Sequence, residues 1–369
     1  MDLEAVKLAF RKNFAEHGEL GASVSIWKEG VEVLNLADGW CERDEVRPWN
    51  SATIVPFYSA TKALASATLL MLLEENGLSP DDLVCRVWTN FPNSSATFSE
   101  LLSHQCGLAA LDQKSSVFDH EEVISAIEAQ ESNWELGDGH GYHPRTFGFL
   151  VEEPVRILTD KRLGAVFRER IADPLGLELW IGLPASEFSR VATLYTGKMD
   201  KSDLLSGFYK EFNQSGTLVR QAFSSPRGLQ GVHEMNTPKA WQSGLPAMGG
   251  IGTAQSLAKF YQAAIGAIPL FSDEVLEWMR TPVVTGDDRI LMTPTRFSCG
   301  FQLDPLDENG DKVRRNYGEG LHAFGHPGAG GSHAFGDPDS GISYAYIMNQ
   351  MDLSVLPGAK SSAIIQALS

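Results

Sequence analysis

The stretch from residue 57 to 78, FYSATKALASATLLMLLEENGL, sets Ser59 and Lys62 three residues apart at the head of an apolar, helix-forming segment. On a helix, positions i and i+3 share a face and come within contact range. First-turn N–H groups are unsatisfied and partly positive, which favours an anion forming at a serine oxygen. A lysine flanked by Ala60, Ala63, Leu64 and Ala65 is poorly hydrated. Desolvation disfavours its charged form, so the amine can accept a proton, or its charge can depress a neighbouring acid. The pair therefore suits nucleophilic acyl transfer. An N-cap serine followed by a solvated lysine has the same spacing, and a bare S-x-x-K does not separate the two.

Two further segments bear on that choice. In WELGDGHGYHPRTFGFL, Tyr142 follows a glycine-rich loop and precedes a helical pattern. In FGHPGAGGSHAFGDPDSGISYAYIMN, His326-Pro327-Gly328 opens a strand of small residues, which let another backbone or a substrate approach closely. Taken singly, Tyr142 reads as a packed aromatic, and Gly328, Gly330 and Gly331 as a bulged strand.

The elements that must position these residues come from both chain ends. After an opening amphipathic helix, ASVSIW and VEVLNLADG read as strands joined at Gly30. Near the other end, two strands flank the Asp337-Pro338-Asp339-Ser340-Gly341 turn, and PGAKSSAIIQALS suits a closing helix. This predicts one antiparallel sheet built from both termini, residues 1–58 and 290–369. A mostly helical region, 59–289, is inserted between them, with the site in the crevice. Helices are expected over Ala60–Asn76, stopped by Gly77, and at 99–103, 121–129, 147–158, 163–171, 254–265 and 273–280. Pro154 should kink its helix or begin a new one. Residues 196–240, rich in Ser, Gly and Gln, read as a long excursion of loops. FQLDPLDENGDKVRR reads as a hairpin with Asn309-Gly310 at its tip.

Composition excludes several function classes. At 43% hydrophobic and 21% charged residues, the 369-residue chain is that of an ordinary globular protein with ample core. Its formal charge of -17 repels phosphate backbones and anionic lipid, arguing against nucleic-acid or membrane partners. The N-terminus lacks the apolar core of a secretory signal, and no apolar run approaches the roughly 20 residues of a membrane span. Cys41, Cys85, Cys106 and Cys299 form no CxxC pair, so reduced thiols and a cytoplasmic location are expected. There is no G-x-S-x-G elbow. HEMNT at 233–237 lacks the second histidine of a zinc motif, and the Asp304–Gly310 segment lacks the alternating ligands of a calcium loop.

In their order and separations, Ser59-x-x-Lys62, Tyr142 and His326-Pro327-Gly328 resemble the serine β-lactamase and penicillin-binding-protein superfamily. The chain is most similar to its class C β-lactamase-like branch, which includes the family VIII carboxylesterases. LLSHQCGL resembles that family's LLSHTSGL, with Gln105 and Cys106 in place of Thr-Ser. PLGL at 174–177, the glycines of AMGGIGTAQSLAKF and the DPDSG turn also fit, so the likeness runs from about residue 20 to about 350. The resemblance implies an α/β (α+β) fold of the β-lactamase/transpeptidase type and a serine hydrolase without metal or organic cofactor. Ser59 would be the nucleophile. Lys62 would assist proton removal and lower the effective pKa of Tyr142, which would take the serine proton and pass it to the leaving group. The backbone N–H groups of Ser59 and Ala329 would form the oxyanion hole, and Tyr58, His143, His326 and Gly328 would meet the substrate.

The departures from that pattern point to esters. Lys-Thr-Gly, which grips a carboxylate, becomes His326-Pro327-Gly328; Tyr-x-Asn becomes Tyr142-His143-Pro144. A site without those donors loses most of its preference for β-lactams and peptides. The expected activity is hydrolysis of small or medium acyl esters. A β-lactamase, a D-amino-acid peptidase or amidase, an acyltransferase and a catalytically silent binding protein are the rivals. His140 and His143 are expected to be structural rather than catalytic, and His104 to brace a helix end.

Overall fold

The computed structural model describes residues 1–197 and 207–368. Eleven strands occur among the described residues: β1 Gly21–Lys28, β2 Val31–Gly39, β3 Val55–Pro56, β4 Leu179–Ile181, β5 Gly250–Gly252, β6 Val284–Asp287, β7 Pro294–Phe297, β8 Gln302–Leu303, β9 Phe324–Pro327, β10 His333–Asp337 and β11 Ile342–Met348. Eight of them form one antiparallel sheet in the order β2-β1-β11-β10-β9-β8-β7-β6. The two chain ends therefore pair as its second and third strands, with Val24 opposite Tyr346 and Ile26 opposite Tyr344. The β1–β2 hairpin turns through Glu29 and Gly30, both at positive φ (50° and 82°), as a two-residue turn matched to strand twist requires.

Six helices position the rest: α1 Leu3–Glu16, α2 Thr61–Glu75, α3 Phe147–Thr159, α4 Ala254–Ala264, α5 Asp273–Arg280 and α6 Ala359–Gln366. Side chains alternate across a strand, and β11 shows which helices cover which face. Ser343 hydrogen bonds to α4, with its hydroxyl donating to the Ala258 carbonyl at 2.7 Å. Its neighbour Tyr344 points the other way, to Ser361 on α6 at 3.0 Å. α2 is buried from Thr61 to Leu70 and again at Leu72 and Leu73. A helix apolar on all sides belongs inside; α2 packs against α3, α5 and β9.

The structure departs from expectation in four places. β6 joins the main sheet at residues 284–287, ahead of the boundary expected at 290. A second sheet, β3-β5-β4, places two of its three strands in the region expected to be mostly helical and β3 just ahead of it; its strands have two or three residues, too few for an alternation to be read. His326-Pro327-Gly328, expected to open a strand, stands at the end of β9. The stretch expected to be loops contains short helices at Gly207–Asn213, Leu218–Ser224, Val232–Met235 and Pro238–Ser243. Two start from side-chain caps, Thr217 on Arg220 N–H and Thr237 on Ala240 N–H, and each buries only one or two residues, so their polar faces dominate the composition. Residues 198–206 of that stretch lie outside the described residues. No described helix is long and apolar enough to cross a membrane.

Candidate active site

Ser59 stands in a turn just ahead of α2. The helix begins at Thr61 with Ala60 at its N-cap, and no side chain caps it. Ser59 is thus not spent as a capping hydroxyl. The turn is strained: Tyr58, a bulky aromatic, has φ of +47°, a conformation costing roughly 1–3 kcal/mol that persists where the surroundings over-determine it. Those surroundings are visible. Phe57 N–H donates to the Gly250 carbonyl at 3.0 Å, Thr61 Oγ1 donates to the Tyr58 carbonyl, and Gly250 N–H donates to Thr61 Oγ1 at 2.8 Å. β9 closes from the other side, where a Cβ on Gly328 would lie 2.1 Å from the Phe57 carbonyl oxygen. Only glycine lets this strand end pass the nucleophile turn.

Lys62 is fully buried. Its Nζ donates to the carbonyls of Pro144 at 2.9 Å and Ala247 at 3.0 Å, and its third neighbour is Ser59 Oγ at 3.2 Å. Burial, reinforced by the charge of nearby Arg145, holds the amine well below the ordinary lysine value. With two of its positions on carbonyls, the nitrogen turns its third toward the Ser59 hydroxyl.

Tyr142 is fixed by its backbone and its ring. Its N–H donates to both oxygens of Asp288, at 3.0 and 3.1 Å. Asp288 also accepts from Ile290 N–H, Leu291 N–H and Thr295 Oγ1. The phenol ring stacks on Phe297 at 6.4 Å and meets the edge of His104 at 5.0 Å. Lys62 Nζ lies 4.8 Å from its centroid. Burial pushes the phenol above its ordinary value, a hydrogen bond with Ser59 opposes this, and the Asp288 charge adds to it. The shift at Tyr142 thus runs upward, opposite to the lowering by Lys62 that the resemblance implies.

The histidines are neutral and turned toward backbone. His143 accepts Leu108 N–H at Nε2 (3.0 Å), so its Nδ1–H donates to the Gly141 carbonyl at 2.7 Å. Burial pushes it down to about 3. With both nitrogens engaged and the ring buried, His143 has no polar atom for a substrate, which corrects the expectation that it meets one. His104, at φ +67°, accepts His143 N–H at Nδ1. His326 lies 5.9 Å from the Tyr142 ring and bonds the Pro327 carbonyl through Nδ1 at 2.8 Å. Burial and Lys62 lower it to about 3. Its Nε2 is enclosed, so it backs Tyr142 and does not face the crevice as expected. Ser59, Tyr58 and Ala329 are partly exposed and form the opening. Among the described residues, the N–H groups of Ser59 and Ala329 donate to no backbone acceptor.

Sequence reasoning brought Ser59, Lys62, Tyr142, His326 and Gly328 to one place, and missed Asp288 and Arg145. Arg145 is buried, donating to the Pro226 carbonyl at 2.9 Å and to the Gly228 carbonyl. Its position three residues after Tyr142 was the available signal.

A serine and a buried amine beside a buried phenol, on a central helix against a sheet of both chain ends, define a β-lactamase/transpeptidase-like fold. The chain belongs to the beta-lactamase family, whose pattern it matches over residues 7–368, and is therefore of a serine hydrolase family. It is similar to the esterase/beta-lactamase LipL of Mycobacterium tuberculosis (strain ATCC 25618 / H37Rv), at 24% identity over 93% of this chain and 80% of that protein. A family VIII carboxylesterase structure matches with a TM-score of 0.86 and 29% identity, covering 99% of this chain and 96% of the other. A penicillin-binding-protein homologue from Caulobacter crescentus matches with a TM-score of 0.84 and 30% identity over the same shares.

Proposed function

We propose that the chain hydrolyses uncharged carboxylic esters of small to medium acyl groups through an acyl-Ser59 intermediate. The observation that carries the reading is the Lys62 amine, buried, with two carbonyls on its N–H groups and Ser59 Oγ at 3.2 Å on its third side. Lys62 takes the Ser59 proton as Oγ attacks the carbonyl carbon. The resulting oxyanion sits between the Ser59 and Ala329 N–H groups, each such donor being worth about 3–4 kcal/mol of barrier. The C–O bond to the alcohol breaks, the Tyr142 phenol protonates the leaving alkoxide, and the Lys62 ammonium restores the phenol. Water then attacks the acyl carbon, gives its proton to the Lys62–Tyr142 pair, and Ser59 leaves reprotonated.

Support for esters over lactams comes from the wall. Pro144 and Pro327 offer no side-chain donor, and His326 is a neutral, enclosed ring. A carboxylate or amide finds little to grip, and esters require neither contact. A cytoplasmic location belongs to the same proposal and is supported by four free cysteines. The test is twofold. A fluorophosphonate should label Ser59, with labelling abolished in Ser59→Ala. Specificity constants for p-nitrophenyl butyrate should exceed those for nitrocefin by about two orders of magnitude or more. Absence of labelling in folded protein defeats the mechanism; comparable constants defeat the substrate class.

A further inference from the structure

On the helical part of the molecule a cleft of about 360 Å³ opens between α3 and residues 239–245, and its lining includes none of Ser59, Lys62 and Tyr142. The chain carries 47 acidic and 30 basic residues, yet this cleft inverts the balance. Four basic side chains, His120, Arg156, Arg162 and Lys239, line it with a single carboxylate, Glu152.

That carboxylate is already shared. Glu152 is buried on α3, 3.3 Å from Arg162 Nε, 3.8 Å from Arg156 Nε and 3.9 Å from His120 Nδ1. Arg162 spends its Nη2 on the Ser243 and Gly244 carbonyls. His120 turns its Nε2 to Glu153 at 2.6 Å. Two cations keep donors to spare. Arg156 meets Glu152 only through Nε. Lys239, exposed on the rim, lies 3.9 Å from the centre of the Phe118 ring and has no carboxylate partner among the described residues. A cation laid on an aromatic face at a cleft mouth is placed to receive an anion. The floor is apolar: Val117, Phe149 and Leu245 are each buried to within a few per cent.

We propose that this cleft binds a small organic monocarboxylate, its charge held between Lys239 and Arg156 and its apolar body on Phe149, Val117 and Leu245. Inorganic anions satisfy the rim and leave the floor unused; neutral apolar molecules do the reverse. The acid released by an ester hydrolase belongs to the proposed ligand class, but the binding stands independently of that activity.

The test is calorimetric titration of the full chain with hexanoate and with hexanamide. Hexanoate should bind saturably at one site that hexanamide occupies at least roughly tenfold more weakly. Lys239→Ala and Arg156→Gln should each weaken hexanoate roughly tenfold at unchanged melting temperature, both side chains being partly or largely exposed. No saturable binding, equal affinity for the amide, or affinity untouched by both substitutions overturns the proposal. Failure of the esterase reading appears separately, as lost ester turnover and lost Ser59 labelling with hexanoate binding intact.

Discussion

The two halves of the site spend their polar groups differently. On the α2 side, Ser59 and Lys62 are local neighbours, and the buried amine is satisfied by two carbonyls so that its remaining position faces the nucleophile. On the wall side, Tyr142, His104, His143 and His326 are locked by backbone contacts and by one another, and burial keeps the histidines uncharged. On the proposed function, the difference separates two tasks. The helix half would supply bond-making chemistry that an ester, an amide or a lactam would all use. The wall half, built of uncharged rings and prolines, would decide what is held. We propose that reaction type is set in one half and substrate class in the other.

The largest expected effect tests that division directly. Lys62→Met preserves volume and removes the base, and should lower kcat on p-nitrophenyl butyrate by about 10⁴-fold; Tyr142→Phe removes only the proton donor and should cost about 10²-fold. Lys62→Met also leaves the buried Pro144 and Ala247 carbonyls without that donor, so the melting temperature should fall modestly, and activity is compared well below it. Equal losses from the two substitutions would mean that the phenol shares the base role, and the boundary between the halves would dissolve.

The halves also differ in how readable they were. Ser59 and Lys62 are three residues apart at the head of α2, so their contact could be expected from spacing, while the choice between a nucleophile pair and a cap could not. The sheet of both chain ends was equally plain, because alternation and turn residues mark β1, β2, β10 and β11. Asp288 was not legible: it reaches Tyr142 across 146 positions through a backbone N–H, a contact that leaves no residue-type signal. The order of the Lys62 and Tyr142 pKa values depends on full burial of both groups and on Arg145, neither of which a short motif contains. Gly328 was readable as a close approach, but only the structure names the Phe57 carbonyl as what it approaches.

A middle-sized effect probes how the wall is positioned. Asp288 accepts three backbone N–H groups and one hydroxyl. Asp288→Asn turns one of its oxygens into a donor facing donors, so the Tyr142 loop should shift. We expect kcat to fall about tenfold with KM nearly unchanged, because the proposed substrate contacts at Ser59, Tyr58 and Ala329 are elsewhere. A variant that melts lower and loses kcat and KM together would show that Asp288 braces the fold without aiming the phenol.

The smallest effect concerns the charge that the two halves share. Lys62 must be neutral to take the serine proton, so kcat/KM should fall as pH drops through its lowered pKa and stay level above it. The Tyr142 phenol lies above its ordinary value of about 10, so no alkaline limb is expected below about pH 10. Arg145, on the wall segment, adds to the depression of Lys62 by repelling its ammonium form. Arg145→Gln keeps a donor for the Pro226 and Gly228 carbonyls while deleting that charge. Losing the repulsion raises the Lys62 pKa, so the acid limb should move to higher pH, by less than the shift that burial, the larger cause, imposes. A limb that moves to lower pH contradicts a neutral lysine as the working base. A limb that does not move at all would mean that the wall contributes no electrostatics to the helix half, and that burial alone sets the base.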